Sequence, residues 1–147
     1  MSAFLLLLIA ILGMFSLMQM SKINDGSTEI SRNWLPSTRS ALNLNVLTSD
    51  FRLAEAMIVN ADTADDYSQT YKKRMDAALK GMNAISAQYV KLISSPQEQQ
   101  AYDAFLRQWK EYLEVSGKVM QLAASHQQDQ AMQIFRTQSR TLFDQCN

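Results

Sequence analysis

Arg52, Arg74, Arg136 and Arg140 are the side chains whose type and spacing best suit chemistry. A guanidinium presents a planar fork of N–H donors that matches a carboxylate. Counted from the turns that join their helical segments, Arg52, Arg74 and Arg136 lie about equally deep, and Arg140 lies one turn lower. Thr137 adds a neutral hydroxyl, Ser116 shares the depth of Arg52, and Tyr112 shares that of Arg140. Cations gathered at one level repel each other unless they face water or hold an anion. The set therefore points to a small organic acid, a di- or tricarboxylate, with Asp50 and Glu55 the nearest acidic residues on the first of these segments. The plainer reading of Arg136 and Arg140, neighbours at i and i+4, is a solvated helix face. Tyr71, Trp109 and Tyr112 fall on apolar seams, where packing is the ordinary role and lining for an aromatic acid the alternative.

Catalytic chemistry has little to stand on, and the expectation is of no enzyme, no catalytic residues, no metal and no cofactor. His126 sits in a turn, no glycine-rich phosphate loop exists, and Cys146 has no recognisable base. Asp65 and Asp66 read as solvated capping residues. A single cysteine makes no internal disulfide and, beside one histidine, no metal-ligand set. The 14 basic and 14 acidic residues balance, and no basic run exceeds Lys72-Lys73-Arg74. Nucleic acid is not an expected partner.

Helices must position these side chains. Four glycines and two prolines leave little turn chemistry for strands. Residues 3–18 carry no charge and end in polar sequence. A spanning helix needs roughly 20 such residues, and no basic segment or small-residue cleavage site marks a signal peptide. Residues 1–20 are read as a transmembrane helix cut short at its start, with a cleaved signal peptide as the alternative.

Residues 23–61 continue as one long helix with two apolar stripes. One holds Ile30, Trp34, Ala41, Leu44 and Phe51; the other holds Leu35, Leu42, Val46, Leu53 and Met57. A helix buried on one side shows one stripe, so the second predicts pairing with another copy of the chain. Pro36 interrupts the hydrogen-bond ladder, but the apolar spacing runs through it and predicts one helix with a bend. After a turn in which Asp62 or Thr63 caps, the second helix runs to about Ile93 on a seam of Tyr67, Tyr71, Met75, Ala78, Met82, Ile85, Tyr89 and Leu92. Ser94-Ser95-Pro96 with Glu98 stops it and starts the third. That helix buries Tyr102, Phe105, Trp109, Tyr112, Val119 and Leu122, with Ser116 and Ala123 as small positions, and ends near Ser125-His126. Asp129 opens the fourth, with Met132, Phe135, Leu142 and Phe143 inward. Short connections between four long helices predict an all-α, antiparallel up-down-up-down four-helix bundle following an N-terminal transmembrane helix. The fourth helix is shorter than its partners and reads as truncated, ahead of a second membrane span. Residues 21–147 form the expected extramembrane domain.

This arrangement resembles the four-helix-bundle sensor domain of bacterial chemoreceptors, the methyl-accepting chemotaxis proteins. The resemblance runs through the whole chain: the leading apolar helix, Ile30-Ser31-Arg32-Asn33-Trp34-Leu35-Pro36, the run from Leu42 through Arg52 to Met57, Gln128-Asp129-Gln130-Ala131, and Leu142-Phe143-Asp144. The Trp-x-Pro piece is the most distinctive of these. The resemblance implies an inner-membrane receptor with its sensor domain in the periplasm. It also implies a homodimer in which ligand shifts the fourth helix against the first. The expected ligand-binding residues are Arg52, Arg136, Thr137, Arg140, Tyr112 and Arg74. The alternatives are a sensor for an aromatic acid, the sensor domain of a histidine kinase, and a ligand-free membrane-anchored helical adaptor.

Overall fold

The computed structural model describes residues 2–61 and 65–146. Asp62 and Thr63, the expected caps of the second helix, lie outside the described residues, as does the side chain of Tyr67. The chain divides into two units, Met1–Thr38 and Arg39–Asn147.

In the first unit, α1 spans Ser2–Glu29 and passes into a π turn at Ile30–Trp34. One helix in this stretch is long and apolar enough to cross a membrane. Its large apolar side chains that are described, from Phe4 and Leu6 to Ile23, are exposed, as an all-round apolar helix must be without a core to enter. Ile30 and Trp34, expected on a bundle-facing stripe, are also exposed; a lone helix has no surface of its own to bury them. Pro36 explains the π turn. In an α-helix its ring would press on the carbonyl four residues back. Here the ladder widens just before it, with the Leu35 N–H donating to the Ile30 carbonyl. The helix runs on through proline as α2, Leu35–Val59.

The second unit is the four-helix bundle, and among the described residues it contains no strand. Its helices are α2, α3 (Asp65–Tyr89), α4 (Pro96–Ala124) and a fourth helix in three parts: α5 (Gln128–Ile134), a π turn (Phe135–Ser139) and α6 (Arg140–Cys146). α2 buries Leu44, Phe51 and Ile58, α3 buries Met75, Ala78 and Met82, and α4 buries Tyr102, Trp109, Tyr112 and Val119. Apart from Ile58 these lie on the seams that the spacing predicts, whereas Ala41, expected on the stripe of Leu44 and Phe51, is exposed. A side chain at Gly81 would crowd Leu47, with a Cβ only 3.2 Å from its Cδ1, so glycine lets α3 lie close on α2.

The ends follow local chemistry. Ser95 caps α4 by accepting from the Glu98 N–H at 3.1 Å, Pro96 takes the first turn, and Glu98 reaches back to the Ser94 N–H at 3.0 Å. α3 stops at Tyr89, short of the expected Ile93. Beyond it the Leu92 N–H bonds the Tyr89 carbonyl at 2.8 Å, three residues back, which tightens the last turn; Val90 is exposed and gives a longer helix nothing to pack. His126 turns the chain between α4 and α5 with φ 58°, and Gln128 donates to the Ala61 carbonyl at 3.2 Å, tying the start of the fourth helix to the end of α2.

Candidate functional site

Glu55 sits on the buried face of α2, one turn from Phe51 and from Ile58, and none of its side chain reaches solvent. A buried carboxylate is costly unless it is paired and hydrogen-bonded. Arg52, one turn earlier, approaches it at 3.2 Å, and Tyr112 of α4 donates its hydroxyl to the same oxygen, Oε2. The other oxygen, Oε1, is buried with no hydrogen-bond partner among the described residues. Tyr112 is itself fully buried, stacked on Trp109 at 4.9 Å and edge-on to Phe51 at 5.9 Å. Burial first, and then the Glu55 carboxylate, hold its phenol far above the ordinary tyrosine range.

Arg52 continues from this pair into the fourth helix. Its Nη1 donates to the Ser139 hydroxyl and its Nη2 to the Phe135 carbonyl at 3.0 Å. The guanidinium lies over the Phe135 ring at 3.7 Å, with the Phe143 ring at 5.5 Å, close enough for cation–π attraction. Only 14% of the side chain remains exposed. Arg52 is thus the cross-tie between α2 and the π turn, with its charge answered from inside the bundle.

The other expected residues separate from this centre. Arg136 and Thr137 occupy the same π turn but are exposed, lining an open cleft of about 680 Å³ with Val115, Gln138, Thr141 and Leu142. Arg136 forms no ion pair among the described residues. The Thr137 hydroxyl donates to the Gln133 carbonyl at 2.7 Å, which leaves its lone pairs free to accept. Arg140 pairs with Asp144 at 3.7 Å, both largely exposed, an arrangement that contributes little. Arg74 lies on a different cleft of about 320 Å³ between α2 and α3, with its guanidinium 5.6 Å from the Tyr71 ring and Asp50, Leu53 and Met57 among the lining.

Sequence reasoning missed Glu55 and Ser139. Glu55 was legible: it stands between Phe51 and Ile58, on the face that α2 buries, three residues from Arg52. Ser139 was legible too: it lies four residues after Phe135 and three before Leu142, on the inward face of the fourth helix, but as a polar residue it drew no attention on an apolar seam.

A family described as the four helix bundle sensory module for signal transduction matches residues 1–147. The chain belongs to this family. It is a sensory module of the kind found in chemotaxis and signal-transduction proteins, and its apolar α1 fits a membrane receptor. No curated protein and no solved structure matches the chain. The Arg52–Glu55–Tyr112 cluster touches three of the four helices, α2, α4 and the fourth.

Proposed function

We propose that this sensory module is the periplasmic ligand-binding domain of a transmembrane chemoreceptor, and that it senses a small di- or tricarboxylic acid. Residues 1–20 serve as the membrane span and residues 21–147 as the sensor. The observation that carries the ligand class is Arg136: an exposed guanidinium without an ion pair among the described residues, over an open cleft with Thr137. Arg140 follows on the next turn, tied only to a solvated aspartate. Arg52 backs the same π turn from within, with its charge paired to Glu55, which leaves Arg136 as the unpaired cation of the three. Tyr112 positions Arg52 through Glu55 rather than meeting the ligand.

The module works as a homodimer paired through α2. Leu42, Val46 and Leu53 form a stripe more than half exposed, and Met57 extends it at 39%. Such a continuous apolar row on one helix suits a second copy of itself.

Isothermal titration of the full chain in detergent with citrate and succinate tests the ligand class. Binding of either acid, weakened at least tenfold by Arg136→Ala, is the expected result. A second reading, an aromatic monocarboxylate, is favoured by the cleft between α2 and α3, where Arg74 stands beside a tyrosine ring above an apolar floor. Binding of phenylacetate that is lost in Arg74→Ala and kept in Arg136→Ala would select it.

A further inference from the structure

The two π turns have different causes. The one at Ile30–Trp34 precedes Pro36, and the proline accounts for it. The one at Phe135–Ser139 has no such cause: from Ile134 to Thr141 the sequence contains neither proline nor glycine. The α form is the default winding for such residues, and a π turn within a helix is rare and recurs at functional sites. What distinguishes this segment is tertiary. Arg52 donates to the carbonyl of its first residue and to the hydroxyl of its last, and lies over the Phe135 ring. Glu55 holds Arg52 in place, and Tyr112 holds Glu55.

We propose that Arg52 is a latch that keeps residues 135–139 in the π winding, with Glu55 as its positioning residue, and that withdrawal of the guanidinium lets the segment rewind as α-helix. Rewinding by one residue shifts α6 against α5 by about 1.5 Å and turns it by roughly 100°. Arg136 and Thr137 belong to the same five residues, and their directions differ between the two windings. An anion gripped by Arg136 therefore favours one winding over the other, by as much as its affinity for the two differs. This ligand-driven half rests on the organic-acid reading above. The latch itself does not.

The chain carries its own reporter. Cys146 is its single cysteine and ends α6, where it lines a small cleft of about 190 Å³ with Ala41, Leu44, Tyr89, Tyr102 and Phe105. A turn of α6 takes the thiol out of that cleft. The test is the rate of maleimide alkylation at fixed pH, on the full chain in detergent, with amide hydrogen exchange over residues 135–140 alongside. Ser139→Ala removes one bond of the latch, and Arg52→Met removes the latch whole at similar volume. At least tenfold faster alkylation than wild type is expected in Ser139→Ala and in any folded Arg52→Met, with slower exchange in residues 135–140 as α hydrogen bonds form. Alkylation within twofold of wild type in Ser139→Ala overturns the latch, and so does faster exchange in residues 135–140, which means fraying instead of rewinding. Citrate added to wild type is expected to change the alkylation rate. Citrate binding seen by titration with no change in alkylation overturns the coupling and leaves the organic-acid reading intact. The expected effect in Ser139→Ala without any citrate binding upholds the latch and removes citrate as the ligand.

Discussion

Tyr112 donates its hydroxyl to Glu55 across the bundle interior, 57 residues away in sequence, and neither side chain reaches solvent. The bond joins α4 to α2 at the point where Arg52 joins α2 to the fourth helix. Polar groups so placed stabilise a fold only as a set, because each leaves a buried partner stranded when it goes.

Tyr112→Phe is therefore expected to destabilise the chain by about 1–3 kcal/mol, the usual cost of a buried acceptor that loses its donor. Chemical denaturation of wild type and variant, compared at equal slope, measures it.

The same pair predicts an alkaline weakness. The folded phenol is held above its ordinary range by burial and by Glu55, whereas an unfolded tyrosine ionises near about 10. A raised value means that the contribution is fully present below that pH and is lost as pH rises through it, since only the unfolded chain then releases its proton. The stability difference between wild type and Tyr112→Phe should shrink between pH 9.5 and 11. A constant difference across that range would contradict the buried, protonated phenol.

Arg52 and Arg136 should part company when each is truncated. Arg52→Ala strips a fully buried carboxylate of its counter-ion, and breaking such a pair costs about 3–5 kcal/mol; the 14% of the arginine left exposed puts the lower end first. Arg136→Ala, exposed and unpaired among the described residues, should leave the melting temperature within about 1 °C, because surface changes away from such networks are usually near neutral. Its acid affinity should fall roughly tenfold to a hundredfold. Paired melting and titration curves of the two variants separate the roles.

Glutamate at both Leu42 and Val46 should lower the dimer fraction in analytical ultracentrifugation without loss of helical signal. These side chains are 63% and 56% exposed in the single chain, so the charges meet no core of their own. Unchanged sedimentation would remove α2 as the pairing face.

Cys146 should react slowly in the folded chain. Burial, with the Glu111 charge behind it, pushes its thiol up from 9.0 to about 11. The thiolate is the nucleophile, so at pH 8 alkylation should run roughly a hundredfold slower than in the urea-unfolded chain. Rate profiles against pH in both states check the figure.

The periodicity of α3 and α4 and the Ser95-Pro96 start were legible because they are local: apolar spacing and cap chemistry act within a few residues of chain. So was the exposed row of Leu42, Val46 and Leu53, since two stripes on one helix cannot both face one bundle. The arginines show where such reading stops. Their equal depth could be counted, but which of them meets partners from another helix could not: Arg52 turns to Phe135 and Ser139, whereas Arg136 faces water. The π turn at Phe135–Ser139 contains neither proline nor glycine, and Arg52, 83 residues away, bonds the carbonyl of its first residue. Composition and period determined that this chain is a helical bundle with one apolar leading helix. Only tertiary packing decided that Arg52 turns inward to Glu55 while Arg136 faces water, because a charge enters a core only where partners from other helices are already in place to meet it.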